Sequence, residues 1–67
     1  MDYKKKKEEM MEKYKYAIYA ISVANGVDIG AAFDMLKSNM TRGGNYAYVN
    51  AEEFNKDYEE LLELARG

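Results

Sequence analysis

The chain has 67 residues, a formal net charge of −2, and no Cys, His, Pro or Trp. Without Cys it has neither a disulfide nor a thiolate metal site, and without His it has no imidazole ligand and no side chain that ordinarily titrates near neutrality. The charge balance does not indicate a nucleic-acid surface. The length predicts one domain over residues 1–67, stabilised by efficient helix packing or by oligomerisation.

The charges are unevenly distributed along the chain. Residues 1–16 contain six lysines and four acids, for a net charge of +2, and residues 17–50 are neutral. Residues 51–67 contain six acids and two basic residues, for a net charge of −4. This pattern predicts that two outer helices attract each other across a middle one.

Residues 2–24 are predicted to form one long helix, because two apolar stripes run along its second half at spacings of three and four. The first stripe, with Ile18 beside it, is Met10, Tyr14, Ala17, Ile21 and Ala24. The second stripe, with Tyr19 beside it, is Tyr16, Ala20, Val23 and Val27. A helix that is apolar most of the way round is either a central core helix or one that leaves its tyrosine-rich stripe open for a partner.

The first helix is predicted to stop at Asn25-Gly26, since Gly favours the left-handed position past a helix end. Asp28 is placed to cap a second helix, from Ile29 to about Ser38. The apolar positions of that helix are Ile29, Ala32, Phe33, Leu36 and Met40. The connection is short, so these helices should form a hairpin or a crossed pair.

Residues 39–49 are the least regular part of the sequence. Gly43-Gly44 predicts a flexible turn, and residues 46–49 are interpreted as a short extended piece. Tyr46 and Tyr48 belong either to a recognition loop or to a lid over the core.

The last helix has a clear start, because Asn50 followed by Glu53 forms a capping box and Val49 and Phe54 are placed as a hydrophobic staple. Its predicted apolar face is Phe54, Tyr58, Leu61, Leu62 and Ala65. Gly67 ends it. The predicted architecture is therefore all-α, with a long helix, a short helix, an irregular tyrosine-bearing loop and an acidic third helix.

The sequence offers no catalytic constellation. Ser22, Ser38 and Thr41 have no His to activate them, and there is no Cys. The carboxylates lie on predicted exposed helical faces, where nothing raises a pKa. We therefore expect no enzymatic activity, no catalytic residue, no cofactor and no small-molecule substrate.

The longest uncharged run, residues 16–27, is much shorter than a membrane span. Lys4–Lys7 precede an apolar stretch in the manner of a secretory signal, but the charged residues that follow them interrupt it. We therefore expect a soluble cytoplasmic protein without a membrane partner.

Residues 48–54, Tyr-Val-Asn-Ala-Glu-Glu-Phe, resemble the closing half of an EF-hand calcium loop, and residues 31–36, Ala-Ala-Phe-Asp-Met-Leu, resemble the end of an entering helix. The resemblance implies a bidentate calcium ligand at Glu53. The chain departs from that family because Arg42, Gly44 and Tyr46 stand where early acidic ligands belong. Since a helix cap and staple explain the same residues, we expect no metal.

The Lys/Glu-paired helices, the four missing residue types and the ending Leu-Leu-Glu-Leu-Ala-Arg-Gly also resemble computationally designed helical miniproteins. The seven tyrosines and five methionines depart from that style, whose cores favour Leu, Ile and Val. Such a departure is expected if Tyr and Met were placed for a partner.

We therefore expect a non-enzymatic protein-interaction module of natural or designed origin that binds a protein partner or a second copy of itself. The expected contact residues are Tyr16, Tyr19, Ala20, Val23, Tyr46 and Tyr48. One alternative is a natural inhibitor or antitoxin-like regulator that presents the acidic last helix to a basic partner. Another is a helix-turn-helix DNA-binding dimer, with Gly26 and Val27 in the turn, although residues 28–38 offer two Asp and one Lys to a polyanion.

Overall fold

The computed structural model describes residues 2–46 and 48–67, which form four α-helices. They are α1 (Asp2–Lys13), α2 (Lys15–Asn25), α3 (Ile29–Thr41) and α4 (Ala51–Arg66). The all-α class is confirmed. The predicted number of helices is wrong, because the long helix expected over residues 2–24 is divided at Tyr14.

The division between α1 and α2 lies at a single residue. Tyr14 has φ −107° and ψ 23°, outside the helical range. Residues 2–25 contain neither Pro nor Gly, so the local sequence does not impose a break. The cause lies in the packing: α1 packs along α4, α2 packs on α3, and the Tyr14 side chain is buried at the junction.

Salt bridges fix the register of α1 against α4. Lys6 Nζ lies 3.1 Å from Asp57 and 2.7 Å from Glu60, while Lys13 Nζ lies 3.1 Å from Glu53 and 2.9 Å from Asp57. Residue numbers rise along α1 as they fall along α4, so the two helices are antiparallel. The predicted attraction between the basic start and the acidic end is confirmed, but the two helices touch directly rather than across a middle one.

The turn between α2 and α3 follows the predicted caps. Gly26 adopts the left-handed conformation, with φ 63°, and its N–H donates to the carbonyl of Ser22. The Asp28 side chain accepts from the N–H of Ala31 at 2.8 Å. The chain direction changes by 106° between the two helices, which makes them a crossed pair.

Helix α3 extends past the predicted end near Ser38 and takes in Met40, whose side chain is buried in the core. It ends where Gly43 adopts φ 85° and donates its N–H to the carbonyl of Met40 at 3.2 Å. The irregular segment therefore begins at Arg42 rather than at Asn39. Burial of Met40 explains the difference, because one more helical turn places this side chain in the core.

The extended piece expected over residues 46–49 is wrong. The N–H of Val49 donates to the carbonyl of Tyr46 at 3.1 Å, which closes a tight turn with an isolated bridge between these two residues. Ala47, between them, lies outside the described residues.

Helix α4 begins at the predicted cap, since Asn50 Oδ1 accepts from the N–H of Glu53 at 2.9 Å. The capping box is only half formed among the described residues, because the Glu53 carboxylate pairs with Lys13 Nζ instead of the Asn50 N–H. Phe54 and Leu61 are buried, and Tyr58 is half-buried. Leu62 and Ala65 are exposed, contrary to the predicted apolar face. Leu62 lies about 100° round the helix from Leu61, and Ala65 belongs to the last turn before the helix ends.

The core is one cluster of buried side chains to which all four helices contribute. The first stripe of the long predicted helix lies in it, except that Ala24 is exposed. The buried residues are Met10, Tyr14, Ala17, Ile18, Ile21, Ala32, Phe33, Leu36, Met40, Phe54 and Leu61.

Two glycine substitutions should change stability in opposite directions. Gly26→Ala should lower the free energy of unfolding by about 1 kcal/mol, because an L-residue is strained at positive φ even though space is open there. Gly30→Ala, in the first turn of α3, should raise it by about 0.5 kcal/mol, since its Cβ would meet only ordinary contact with Asp28 at 3.5 Å. Urea denaturation of both variants measures the two changes in the free energy of unfolding. Equal changes of the same sign would contradict the assigned Gly26 conformation.

Candidate functional site

An uncharged face of α2 points away from the core. It consists of Tyr16, Tyr19, Ala20 and Val23, called here the α2 face. Tyr16 is 69% exposed, Tyr19 50% and Val23 83%, and Ala20 is also exposed. The opposite side of the helix is buried, so helical periodicity sets these four residues together toward the surface.

The structure separates the two predicted loop tyrosines. Tyr48 is 71% exposed, whereas Tyr46 is half-buried and packs against the core. Val27, the last member of the second stripe, also packs partly on the core because the chain turns at Gly26. The four predicted residues of α2 therefore share one surface, and Tyr46 contributes less area than the sequence indicates.

The charge nearest to the α2 face already has partners. Lys15 Nζ lies 3.1 Å from Glu12 Oε1 and 5.6 Å from the centre of the Tyr16 ring. Hydrogen bonding to Glu12 raises the pKa of Lys15, which keeps its ammonium group charged. The four residues of the α2 face are uncharged, and Glu12 neutralises the adjacent Lys15, so no net charge is available there to select a partner.

A concavity of about 200 Å³ adjoins the α2 face at Tyr19. Its lining residues are Glu8, Met11, Glu12, Lys15, Ile18, Tyr19 and Ile29. The sequence placed Ile29 on the apolar side of α3, but its side chain is 40% exposed beside this concavity. One feature of the sequence could have indicated this exposure. Ile29 is the first residue after the Asp28 cap, and side chains in the first turn of a helix often lie past the edge of a core.

Asp57 is the centre of a polar cluster between α1 and α4. Its carboxylate accepts from Tyr14 OH at 2.7 Å, from Lys13 Nζ at 2.9 Å and from Lys6 Nζ at 3.1 Å. The sequence did not distinguish Asp57 from the other acids of α4, because the register of α1 selects it.

Burial acts to raise the pKa of Asp57, but hydrogen bonds from Lys13, Tyr14 and Lys6 outweigh it and lower the pKa to about 2. Burial, followed by the hydrogen bond to Asp57, raises the pKa of the Tyr14 hydroxyl. Asp57 is therefore ionised and Tyr14 protonated throughout the neutral range. Neither group exchanges protons near pH 7. The cluster therefore acts as a structural electrostatic contact that holds α1 against α4, called here the electrostatic lock.

The residues that resemble part of an EF-hand serve the start of α4. Asn50 caps the helix, and the Glu53 carboxylate lies 3.1 Å from Lys13 Nζ. Within residues 2–46 and 48–67, no group of three or more acidic, Cys or His side chains is arranged to hold a metal ion.

Across the described part of the chain, no single helix is long and apolar enough to cross a membrane. Among the described helices, only α2 and α3 taken together reach that length and hydropathy, and the chain bends by 106° between them.

No protein-family model matches this chain, and no curated protein or solved structure matches it significantly. Its function is therefore inferred from the geometry described above.

The Asp57 cluster predicts a specific acid sensitivity. Because folding lowers the pKa of Asp57 from 3.8 to about 2, the ionised carboxylate stabilises the fold above pH 4, and this stabilisation is lost as the pH falls from about 4 to 2. Allowing for partial screening by water, its contribution is about 1 to 2 kcal/mol. Urea denaturation between pH 7 and pH 2 measures it.

Asp57→Asn should lose this stability at pH 7 and show a smaller decline on acidification than the wild type. The matched control is Glu59→Gln, which neutralises an exposed carboxylate on the same helix. If the two variants have equal stability at pH 7, the lock does not contribute as described.

Proposed function

We propose that the chain is a non-enzymatic protein-interaction module whose main contact surface is the α2 face. The observation that carries this proposal is the exposure of Tyr16, Tyr19 and Val23 on one uncharged side of a helix that buries Ala17, Ile18 and Ile21 on the other side. Large apolar side chains that cluster at a surface are typical of interaction sites, whereas isolated ones are ordinary. The proposal applies equally to a natural and a designed chain.

Tyrosine suits this role for two physical reasons. Its ring supplies a large contact area at a low cost in conformational entropy, and its hydroxyl tolerates water before binding and forms a hydrogen bond afterwards. Tyr16 and Tyr19 are held on a regular helix that packs against α3, so their backbone is already ordered before a partner arrives. Tyr48, exposed on the loop before α4, and the exposed part of Tyr46 are proposed as additional contacts.

We place this activity in the cytoplasm. The chain has no cysteine, so its fold does not depend on an oxidising compartment.

Site-specific photo-cross-linking tests the proposal in cells that express the protein. A benzophenone side chain would replace Tyr16 or Tyr48, or, as a matched control, Tyr3, which is partly exposed on α1. We expect discrete protein adducts from position 16, fewer from position 48 and background levels from position 3. Mass spectrometry of each adduct identifies the captured chain and separates a second copy from a different protein.

A captured partner is then purified and titrated against variants. Tyr19→Ala should weaken its binding by about tenfold or more, because a central interface tyrosine commonly contributes over 1 kcal/mol. Helical circular dichroism should remain unchanged, since Tyr19 lies outside the buried core. Adducts at position 16 no more abundant than at position 3, or binding unaffected by Tyr19→Ala, would refute the proposed contact surface.

One observation favours a second function, DNA binding. Helices α2 and α3 meet at 106° through a turn at residues 26–28 that contains Gly26, which is the geometry of a helix-turn-helix. The charge on α3 opposes this function. Lys37 is the only basic residue of α3, and its Nζ lies 3.1 Å from the Asp34 carboxylate.

Fluorescence anisotropy with a labelled duplex of mixed sequence decides between the two functions. We expect no change in anisotropy at 50 mM salt when the protein is added up to about 100 μM, a concentration at the upper end of non-specific dissociation constants. Binding that weakens steeply with added salt, and that is lost in Lys37→Glu, would favour DNA recognition instead.

The regulator that presents an acidic helix has less support. Glu53, Asp57 and Glu60 form salt bridges with α1, so half of the six acids of residues 51–67 already have cationic partners within the chain. A basic partner would meet a smaller acidic surface than the sequence indicates.

A further inference from the structure

We infer that the occupant of the α2 face is α2 of a second copy of this chain, packed antiparallel about a two-fold axis between Tyr19 and Ala20. The inference rests on the proposed function, because it names the partner for the same surface. It follows from the order of side chains along the helix, their charge and the area that they expose.

The α2 face has an internal symmetry. At about 100° per residue, Tyr16 and Val23 lie close to the centre line of the face, one toward each end. Tyr19 and Ala20 lie between them on opposite flanks, about 100° apart. A two-fold axis perpendicular to the helix at this midpoint exchanges the ends of the face and keeps each flank on its own side.

The same axis pairs complementary side chains across the interface. Tyr16 of one copy faces the partner's Val23, and this contact occurs twice. Ala20 faces the partner's Ala20, which allows close approach of the two backbones on that flank. Tyr19 lies beside the partner's Tyr19 on the other flank, where the two rings can stack with an offset. An isologous dimer requires this kind of self-complementary surface.

The charges also permit this arrangement. Residues 16–27 contain no charged side chain, so no like charges are brought into contact along the paired helices. The two copies of Lys15 would lie about 13 Å apart along the helix axis, beyond the Debye length of about 8 Å at physiological salt, and each is paired with Glu12. A partner chosen by opposite charge has nothing to recognise on this face, whereas a second copy needs no charge.

The available area determines the strength of the dimer. With 69% of Tyr16 and 50% of Tyr19 exposed, the two rings supply about 240 Å² per copy. Val23 and Ala20 raise the total to at most about 800 Å² over both copies, below the roughly 1,200 Å² of a stable interface. We therefore expect a reversible dimer with a micromolar or weaker dissociation constant.

Light scattering and sedimentation velocity of the full chain, from about 5 μM to 1 mM, measure self-association. The weight-average mass should rise from the 7.7 kDa of one chain toward twice that value as the concentration increases. A mass of 7.7 kDa at every concentration would overturn the inference.

Substitutions at Ala20 test the two-fold pairing itself. Ala20→Lys should abolish the rise in mass, because it places two ammonium groups against each other at the closest point of the interface. Ala20→Glu should do the same with two carboxylates. An equimolar mixture of the two variants should recover the dimer, since each Lys then faces a Glu. Ala65→Lys is the matched control, since it makes the same change at an exposed helical position on α4, and its mass profile should match the wild type.

The outcomes separate this inference from the proposed function. A wild-type dimer that Ala20→Lys leaves intact would overturn the interface, and a mixture that stays monomeric would overturn the two-fold register. A monomeric protein whose position 16 cross-links to a different chain would overturn self-association but support the proposed function. Self-adducts at position 16, confirmed by mixing isotopically light and heavy chains, together with charge-pair recovery, would establish both.

Discussion

Tyr14 lies where α1 ends and α2 begins, and its side chain reaches across to α4. Its ring meets Phe54 edge-on with 5.0 Å between ring centres, and its hydroxyl donates to Asp57 at 2.7 Å. Burying a tyrosine requires a partner for the hydroxyl, and Asp57 supplies it while two lysines of α1 neutralise the carboxylate. One side chain thus connects the break in the first predicted helix with the register of the last one.

The exposed α2 face follows from this arrangement. Because the helix is interrupted at Tyr14, α1 packs along α4, and α2 buries its apolar side against α3. A second crossed helix covers only one side of α2, and no further element among the described residues covers the outer stripe. Small chains expose a larger fraction of their apolar surface than large ones, so a helix that is apolar on two sides leaves one side exposed.

The sequence predicts the local features of this fold better than its long-range ones. Gly26, Asp28 and Asn50 act through hydrogen bonds and dihedral angles within a few residues, so their roles are visible in the sequence and are confirmed. The break at Tyr14 is not visible, because it depends on α4, which lies some forty residues away in the chain. The α4 acids look alike in sequence, and only the antiparallel register of α1 makes Asp57 the one that pairs with Tyr14, Lys6 and Lys13.

The candidate site shows the same division. Helical spacing groups Tyr16, Tyr19, Ala20 and Val23 correctly on one side, but only tertiary packing determines that this side faces out and that Tyr46 turns partly inward. The concavity beside Tyr19 was missed, since it joins residues of α1, α2 and α3 whose proximity depends on the break.

The chain uses its charges and its aromatic side chains for different purposes. Lys6 and Lys13 form salt bridges with the acids of α4 within the fold. These salt bridges set the antiparallel direction and the register of α1 against α4. The α2 face carries no charge, so any selectivity there must come from shape and from the placement of two hydroxyl groups. Shape alone discriminates poorly among apolar partners, but a two-fold interface uses every feature of a surface twice. The second copy that we infer would therefore obtain selectivity from a small, neutral surface more readily than an unrelated protein would.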